Sequence, residues 1–321
     1  MPEFCCAATR GLVVNHPVRV PISLFVNLFQ SPIIMTLAQI LVLAVIQGAA
    51  ELLPVSSSAH VIVAEKLMGL DPTTPEMTLL LVMLHTGTMF AVIFYFWKSW
   101  KASFFSSKEV FWSSAKFIAA ATVMTGIVGL SLKFLIEKFF MRDVPHAQIE
   151  LLFGNMNLIS AALAAVGLLI LFSGINNRSS AKTESSLGLK ESCYVGAVQG
   201  ICLPFRGFSR SGATISTGLF LGIPRKKIEE FSFALAVVLT PPIIVREVMR
   251  LLQEQHASTS TMAGLSRMFM PSIIGMAFSF AAGLLALRWL SSWLETGRWY
   301  LFGLYCLCAS VGVFILHQYG I

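Results

Sequence analysis

Two short polar segments interrupt an otherwise apolar sequence, and both carry side chains that bind phosphate. The first, residues 47–60, contains a glutamate, a proline, three consecutive serines and a histidine. The second, residues 204–214, contains glycines, serines and two arginines. Hydroxyl groups and helix N-termini bind phosphate oxygens, and a guanidinium binds them through two parallel hydrogen bonds. The two segments are therefore the candidates for chemistry on a phosphate group.

Glu51 is the acidic residue of the first segment. It follows Gln47 by four residues, so both side chains project from one face of a helix. A carboxylate at membrane depth costs roughly 2.5–3.5 kcal/mol or more, so Glu51 requires a partner, a cavity or a metal ion. We predict a functional role for Glu51, which could bind a metal ion or line a polar cavity. A hydrogen bond that only joins two helices is the alternative.

The serines after Pro54 can begin a new helix. Proline ends the preceding helix because its ring clashes with the previous turn and its nitrogen carries no hydrogen. Serines 56–58 can cap the next helix, whose N-terminus attracts an anion. Ser57 could attack a phosphorus atom, and His60, one turn further on, could transfer a proton. A role in capping alone is the alternative.

Arg210 is one of the two cations of the second segment. An arginine at membrane depth without an acidic neighbour in sequence requires an anion, and its planar guanidinium fits a phosphate. An ion pair with a distant carboxylate is the alternative. Thr214, about one turn along the same helix, could hydrogen-bond the same anion. The predicted phosphate-binding residues are Ser56, Ser209, Arg210, Ser211 and Thr214.

Three further polar residues are candidates for the border of this site. Gln47 and Gln199 are each followed by glycine and each precede one of the two interruptions. His85 is a polar residue within a predicted membrane span.

The rest of the sequence predicts a helical protein that crosses a membrane several times. Hydrophobic residues make up 56% of the chain and charged residues only 12%, roughly half the charged fraction of a soluble domain. Apolar runs recur at about the 20-residue length that a helix needs to cross a bilayer. Helices satisfy their own backbone groups in lipid, so an all-α fold follows. The predicted spans cover residues 76–97, 114–136, 149–174, 228–248, 269–291 and 299–317.

The two polar segments break two additional apolar stretches, residues 36–69 and 190–223. Each half of a broken stretch is too short to cross, which indicates re-entrant helix pairs rather than spans. Both breaks follow the same order, from Gln-Gly through a proline to serines. Three spans lie between the pairs, so we expect them to be inverted, to enter from opposite faces and to meet near the midplane.

Positive charges cluster in the loops on one side of this predicted bundle, as expected of loops that face the cytoplasm. The net charge of +7 therefore reflects membrane orientation, and no nucleic acid partner is predicted. Residues 1–34 contain no apolar run long enough to span, and Met35 is a candidate for the actual start. We expect an N-terminal extension, residues 1–34, followed by a single membrane domain, residues 35–321.

The segment Gln47–His60 resembles the first signature of the bacterial undecaprenyl-diphosphate phosphatases of the bacitracin-resistance type. The segment Gly207–Thr214 resembles their second signature, Pro-Gly-x-Ser-Arg-Ser-Gly-x-Thr. Similarity continues through Gly222–Arg225 and Glu230–Phe233 and, in coarse pattern, covers residues 35 to about 317.

This resemblance implies an enzyme of the bacterial cytoplasmic (inner) membrane. Its members remove the terminal phosphate of undecaprenyl diphosphate, which recycles the carrier lipid of cell-wall peptidoglycan synthesis and confers bacitracin resistance. The resemblance also implies a dependence on Mg²⁺ or Ca²⁺. It assigns functional roles at the matching positions Glu51, Ser57, His60, Ser209, Arg210 and Thr214.

Two positions depart from the family pattern. Gln47 stands where many members have a first glutamate, so a metal site built from two carboxylates is weakened here. The second segment reads Pro204-Phe205-Arg206-Gly207 where the family usually has Pro-Gly directly, so either Arg206 replaces that proline or the turn is enlarged.

Several alternatives stay open at this stage. The nucleophile is either Ser57, with His60 as proton shuttle, or His60 itself. A lipid flippase or transporter is the alternative function, because inverted discontinuous helices also build transporters. We expect the prenyl tail to lie in an apolar groove between spans, and a homodimer is left open.

Overall fold

The computed structural model describes residues 35–71, 74–140, 154–179, 187–256 and 262–319. This part of the chain folds into ten α-helices and contains no strand, which confirms the all-α prediction. The predicted N-terminal extension, residues 1–34, lies outside the described residues. The helices are α1 Leu37–Leu52, α2 Ser57–Leu67, α3 Pro75–Ser103, α4 Lys108–Phe140, α5 Met156–Ser179, α6 Leu189–Cys202, α7 Arg210–Phe220, α8 Arg225–His256, α9 Met262–Glu295 and α10 Tyr300–Gln318.

Six helices of the described residues are long and apolar enough to cross a membrane, which confirms the predicted number of spans. Each overlaps a stretch predicted from the sequence. The third spanning helix, α5, begins at Met156, and residues 149–153 of its predicted stretch fall outside the described residues. The apolar segments are Met77–Ser103, Lys108–Phe139, Met156–Ile175, Arg225–Arg246, Phe269–Glu295 and Tyr300–Gln318.

The remaining four helices are short and form two consecutive pairs. Helices α1 and α2 have 16 and 11 residues, and α6 and α7 have 14 and 11 residues. At about 1.5 Å per residue, even α1 reaches only about 24 Å, less than the roughly 30 Å hydrocarbon core of a bilayer. Both breaks therefore fall where the sequence predicts them, and the re-entrant course of the two pairs stays a prediction.

The helices repeat in order, with two short helices followed by three long ones, first in α1–α5 and then in α6–α10. The packing follows this repeat, since α1 lies against α9 and its counterpart α6 lies against α4, the counterpart of α9. Helices α5 and α10, the last of each half, also pack on each other. Each half contains three long helices, so an inverted repeat is the arrangement this order favours.

Local sequence explains how each break is formed. Helix α1 ends at Leu52, two residues before Pro54, and Leu53 already has an extended backbone. Helix α7 begins at Arg210, and the Ser209 hydroxyl caps it by accepting the Gly212 N–H at 3.2 Å. Ser56 occupies the cap position of α2 but its side chain makes no cap hydrogen bond. A serine side chain thus caps α7, whereas the predicted cap by the Ser56 side chain does not form.

Candidate active site

Glu51 on α1 and Arg210 on α7 form an ion pair, although they lie 159 residues apart in sequence. One guanidinium nitrogen, Nη2, donates to Glu51 Oε1 at 2.7 Å. The two side chains are only 17% and 22% exposed, so each charge is largely removed from solvent. The breaks in the two apolar stretches therefore lie in contact. Glu51 and Arg210, neither of which has an oppositely charged neighbour in its own segment, neutralise each other.

The Glu51 carboxylate collects three further polar contacts on its second oxygen. Ser57 Oγ donates to Oε2 at 2.6 Å, and Gln47 Nε2 donates to it at 3.2 Å. His85 Nε2 lies 3.8 Å from the same oxygen. The structure thus brings together the predicted residues Glu51, Ser57, Arg210, Gln47 and His85. The short contact makes Glu51 the hydrogen-bond acceptor for the Ser57 hydroxyl.

Arg210 keeps one donor available. Its Nη1 is buried and has no hydrogen-bond partner among the described residues. An unpaired buried donor is unfavourable, so this nitrogen is suited to an incoming anion. A small cavity beside the ion pair is lined by Glu51, Arg210, Thr88 and Thr240, among apolar residues of α3 and α8.

Thr88 and Thr240 were not identified from the sequence. Both hydroxyls donate to backbone carbonyls of their own helices, at 2.9 Å to His85 and 2.7 Å to Ala236. The only signal in the sequence was that each is a polar residue inside an apolar span. Thr88 also lies one turn beyond His85 on the same helix. That signal is weak, because threonine is commonly satisfied in this way within a helix.

Both ring nitrogens of His60 are occupied. Nδ1 lies 2.7 Å from the carbonyl oxygen of Ser56, and Nε2 lies 2.7 Å from the hydroxyl of Tyr305 on α10. The two rings also stack, with centroids 5.7 Å apart. Sequence reasoning missed Tyr305, because an aromatic residue in an apolar span carries no signal of a polar contact 245 residues away.

The predicted phosphate-binding serines lie at the junction of the two breaks, and all three are buried. Ser211 Oγ donates to the Leu53 carbonyl at 3.4 Å, and Ser209 caps α7. Ser56 Oγ contacts Ser58 Oγ at 3.3 Å, and Ser58 accepts the Gly207 N–H at 3.3 Å. In this structure these hydroxyls join the two loops to each other.

Thr214 and Gln199 contact other parts of the protein. Thr214 Oγ1 donates to the Arg210 carbonyl at 2.8 Å and lies 2.6 Å from Ser232 Oγ on α8, fully buried. Gln199 Nε2 donates to Thr125 Oγ1 on α4 at 3.1 Å. Thr214 therefore holds the first turn of α7, and Gln199 holds α6 against α4, rather than contacting Glu51.

The sequence model described as bacitracin resistance protein BacA matches residues 40–312. The chain belongs to this family. It is 60% identical over 277 residues to undecaprenyl-diphosphatase 2 of Acinetobacter baylyi, an alignment that covers 86% of this chain and 96% of that protein. It is 32% identical over 302 residues to undecaprenyl-diphosphatase 2 of Burkholderia ambifaria and to undecaprenyl-diphosphatase 1 of Burkholderia pseudomallei, covering 88% of this chain and 99% of each relative.

The BacA family match contains every residue of the site, from Gln47 on α1 to Tyr305 on α10. Among the described residues, no group of three or more His, Cys, Asp or Glu side chains could hold a metal ion. Glu51 is the carboxylate at the centre of the site, and Gln47 contributes an amide beside it. Such a set is suited to a cation that also takes oxygen ligands from a bound phosphate.

Proposed function

We propose that this chain hydrolyses undecaprenyl diphosphate to undecaprenyl phosphate and inorganic phosphate. The observation that carries the proposal is the contact between the Ser57 hydroxyl and Glu51 beside the unpaired Nη1 of Arg210. It supports a site in which Ser57 is the nucleophile, Glu51 the base and Arg210 the cation that binds the phosphate. The substrate is proposed from the relatives that align with most of this chain, which are named undecaprenyl-diphosphatases.

Ser57 is the nucleophile favoured by this geometry. Glu51 accepts the hydroxyl proton while Ser57 Oγ forms a bond to the terminal phosphorus and the bond from phosphorus to the bridging oxygen breaks. Undecaprenyl phosphate leaves as an anion. Water then attacks the phosphorus of the phosphoserine as the bond from phosphorus to Ser57 Oγ breaks. Ser57 regains its proton from Glu51, and both the oxygen and the protons of the water leave with the inorganic phosphate. Direct attack by His60 is less favoured because Tyr305 occupies its Nε2.

Arg210 stabilises the charge that develops on the phosphoryl oxygens. When the diphosphate enters, its oxygens compete with Glu51 for Nη2 and pair with Nη1, which gives the bidentate contact that a guanidinium favours. Transfer of Arg210 from Glu51 to the substrate also frees the carboxylate to act as base.

A divalent cation, Mg²⁺ or Ca²⁺, would balance the negative charge of the bound diphosphate. The Glu51–Arg210 pair is neutral, whereas a diphosphate brings two to three negative charges into a largely buried site. Glu51 would hold the cation, assisted by the amide oxygen of Gln47 and by substrate oxygens. When bound, the cation neutralises charge on the phosphoryl oxygens.

Phosphate release by the purified protein tests this function. In detergent, without any gradient, we expect the protein to release inorganic phosphate from undecaprenyl diphosphate but not from undecaprenyl phosphate. Release that requires a membrane gradient, or lipid movement without release, would favour the flippase or transporter alternative. Light scattering on the same sample distinguishes a monomer from the homodimer that the sequence left open.

The protein is multi-pass, since the described part of the chain contains six helices long and apolar enough to span a membrane. The cytoplasmic membrane is its proposed location, because undecaprenyl carrier lipids serve cell-wall synthesis there and the positive loops favour the cytoplasmic side. The prenyl tail would lie against the apolar faces of the spanning helices.

A further inference from the structure

The contacts of His60 determine which of its nitrogens carries the proton. A carbonyl oxygen only accepts hydrogen bonds, so Nδ1 must donate to the Ser56 carbonyl at 2.7 Å. In the neutral ring Nε2 is then an acceptor, and the Tyr305 hydroxyl donates to it at 2.7 Å. Tyr305 therefore stabilises the form of His60 that is protonated on Nδ1.

Ser56 needs this support because its backbone is strained. Its φ of 67° places a non-glycine residue in the left-handed region, and among the described residues it is the only non-glycine with positive φ. Such a conformation persists when surrounding contacts hold it. The strongest contact to its carbonyl is the His60 Nδ1–H bond, since the helical bond from the His60 backbone N–H is 3.4 Å long.

The Ser56 carbonyl belongs to the same peptide plane as the nitrogen of Ser57. When His60 holds that carbonyl, it also fixes the direction in which the chain continues into Ser57. The Ser57 hydroxyl must reach Glu51 at 2.6 Å, and a small rotation of this peptide would break the contact. The orientation of the imidazole is thus transmitted to the nucleophile.

Tyr305 is well placed to set that orientation. Its ring lies nearly parallel to the imidazole, with an interplanar angle of 13°. Helix α10 is anchored on α5, where the Ser160 and Ser310 hydroxyls each donate to the other residue's carbonyl at 2.9 and 2.8 Å. Tyr305 is 47% exposed, so its role is not to fill the core.

We infer that Tyr305 is a positioning residue that acts through His60 to hold the strained Ser56–Ser57 turn in the reactive conformation. This inference deepens the proposed function and rests on it. It assigns His60 to the support of the Ser57 nucleophile rather than to attack on phosphorus.

A double-mutant cycle, with phosphate release as the readout, tests whether Tyr305 acts on Ser57 through the strained Ser56 turn. We expect Tyr305→Phe to lower kcat about tenfold and to leave KM within about twofold, because it misplaces the nucleophile without removing a phosphate contact. Ser56→Gly should relax the turn, since glycine adopts positive φ without strain. In the Ser56→Gly background we therefore expect Tyr305→Phe to lower kcat less than about threefold.

Ser56→Asn, which also tolerates positive φ, serves as a second relaxed background if Ser56→Gly does not fold. Tyr319→Phe removes a hydroxyl from an exposed tyrosine at the end of the same helix and is the matched control. Equal kcat losses from Tyr305→Phe in native and relaxed backgrounds, or a rise in KM alone, would overturn the inference. An unchanged kcat in Tyr305→Phe would do the same.

A readout independent of turnover separates this inference from the proposed function. Nitrogen NMR shifts of the His60 ring, assigned by comparison with His60→Gln, should show the Nδ1-protonated form in the native protein. The Tyr305→Phe variant should show a mixture of both forms. Native protein with the expected shifts but no phosphate release would refute the proposed function alone, whereas identical shifts in both proteins would refute the role of Tyr305.

Discussion

The ion pair between Glu51 and Arg210 explains how two charged side chains are accommodated between apolar helices. Each neutralises the other in the absence of substrate, and the Glu51 carboxylate accepts further donors from Ser57 and Gln47. Breaking a buried ion pair by removing one partner leaves an uncompensated charge. Variants at these two positions therefore have to be checked for folding as well as for activity.

Arg210→Ala should abolish phosphate release while the protein still inserts in the membrane. Loss of the guanidinium removes the main stabiliser of developing charge, and we expect kcat to fall by at least about 10²-fold. Arg210→Lys should also be poor, because an ammonium group cannot form the planar bidentate contact. Phosphate release by purified protein, with elution as a single folded species, measures both effects.

Arg206→Ala is the matched control, because Arg206 is an exposed arginine in the loop that precedes α7. It should retain most of the activity. Near-native turnover in Arg210→Ala would remove Arg210 from the site.

Glu51→Gln should lose most of the activity, because an amide can neither accept the Ser57 proton nor hold a cation strongly. Gln47→Glu should be tolerated and should raise the affinity for the divalent cation by adding a second carboxylate. Initial rates measured across a range of magnesium concentrations test both substitutions. A full rate in Glu51→Gln at saturating magnesium would show that this carboxylate is neither base nor metal ligand.

At the scale of the helices, the short first helix of each half approaches a long helix at a glycine. A Cβ on Gly48 of α1 would lie 2.6 Å from the Ser279 carbonyl oxygen on α9. A Cβ on Gly200 of α6 would lie 2.8 Å from the Thr125 carbonyl oxygen on α4. The Gln-Gly pair that marks each break in the sequence is therefore a packing feature of each half, because only glycine permits these close approaches.

Gly200→Ala should destabilise the protein by about 1–3 kcal/mol, because the added methyl group meets backbone atoms that cannot move without shifting α4. The melting temperature in detergent should fall accordingly. Gly126→Ala, on α4, is the control, since a Cβ there meets no atom within 4 Å. It should leave the melting temperature unchanged or raise it slightly through its better helix propensity. Equal stabilities of the two variants would contradict the close packing of α6 on α4.

At the scale of the whole molecule, two halves of equal helix order bring their breaks to one site. The odd number of long helices in each half is what allows the two halves to lie in opposite orientations in a membrane. Glu51 comes from the first half and Arg210 from the second, so the site exists only when both halves are assembled.

Thiol labelling of single cysteines in a cysteine-free background tests this orientation. Cysteines at Ser106 and Thr296, in the turns after α3 and α9, should react with an impermeant maleimide only from the cytoplasmic side. A cysteine at Lys66, near the end of α2, should react only from the opposite side. The same accessibility for Lys66→Cys and Ser106→Cys would contradict the predicted topology.

The sequence by itself determined the features that depend on local pattern. Apolar runs of spanning length located the six long helices, because the bilayer imposes that length on any helix that crosses it. Pro54 and the glycines of the second segment located the two breaks, because their backbone effects are local. The chemistry of Glu51, Ser57 and Arg210 could likewise be identified, since charged residues within apolar stretches are costly and require a function.

Only the tertiary structure decided which side chains meet. No local pattern shows that Ser57 donates to Glu51 rather than to His60, or that His60 faces Tyr305. Thr214 has the residue type and spacing of a phosphate ligand, yet its hydroxyl contacts Ser232. These outcomes depend on the rotation of each helix about its axis and, for the contact between His60 and Tyr305, on residues 245 positions apart in sequence. Such contacts are set by the packing of the whole bundle, which helical periodicity does not encode.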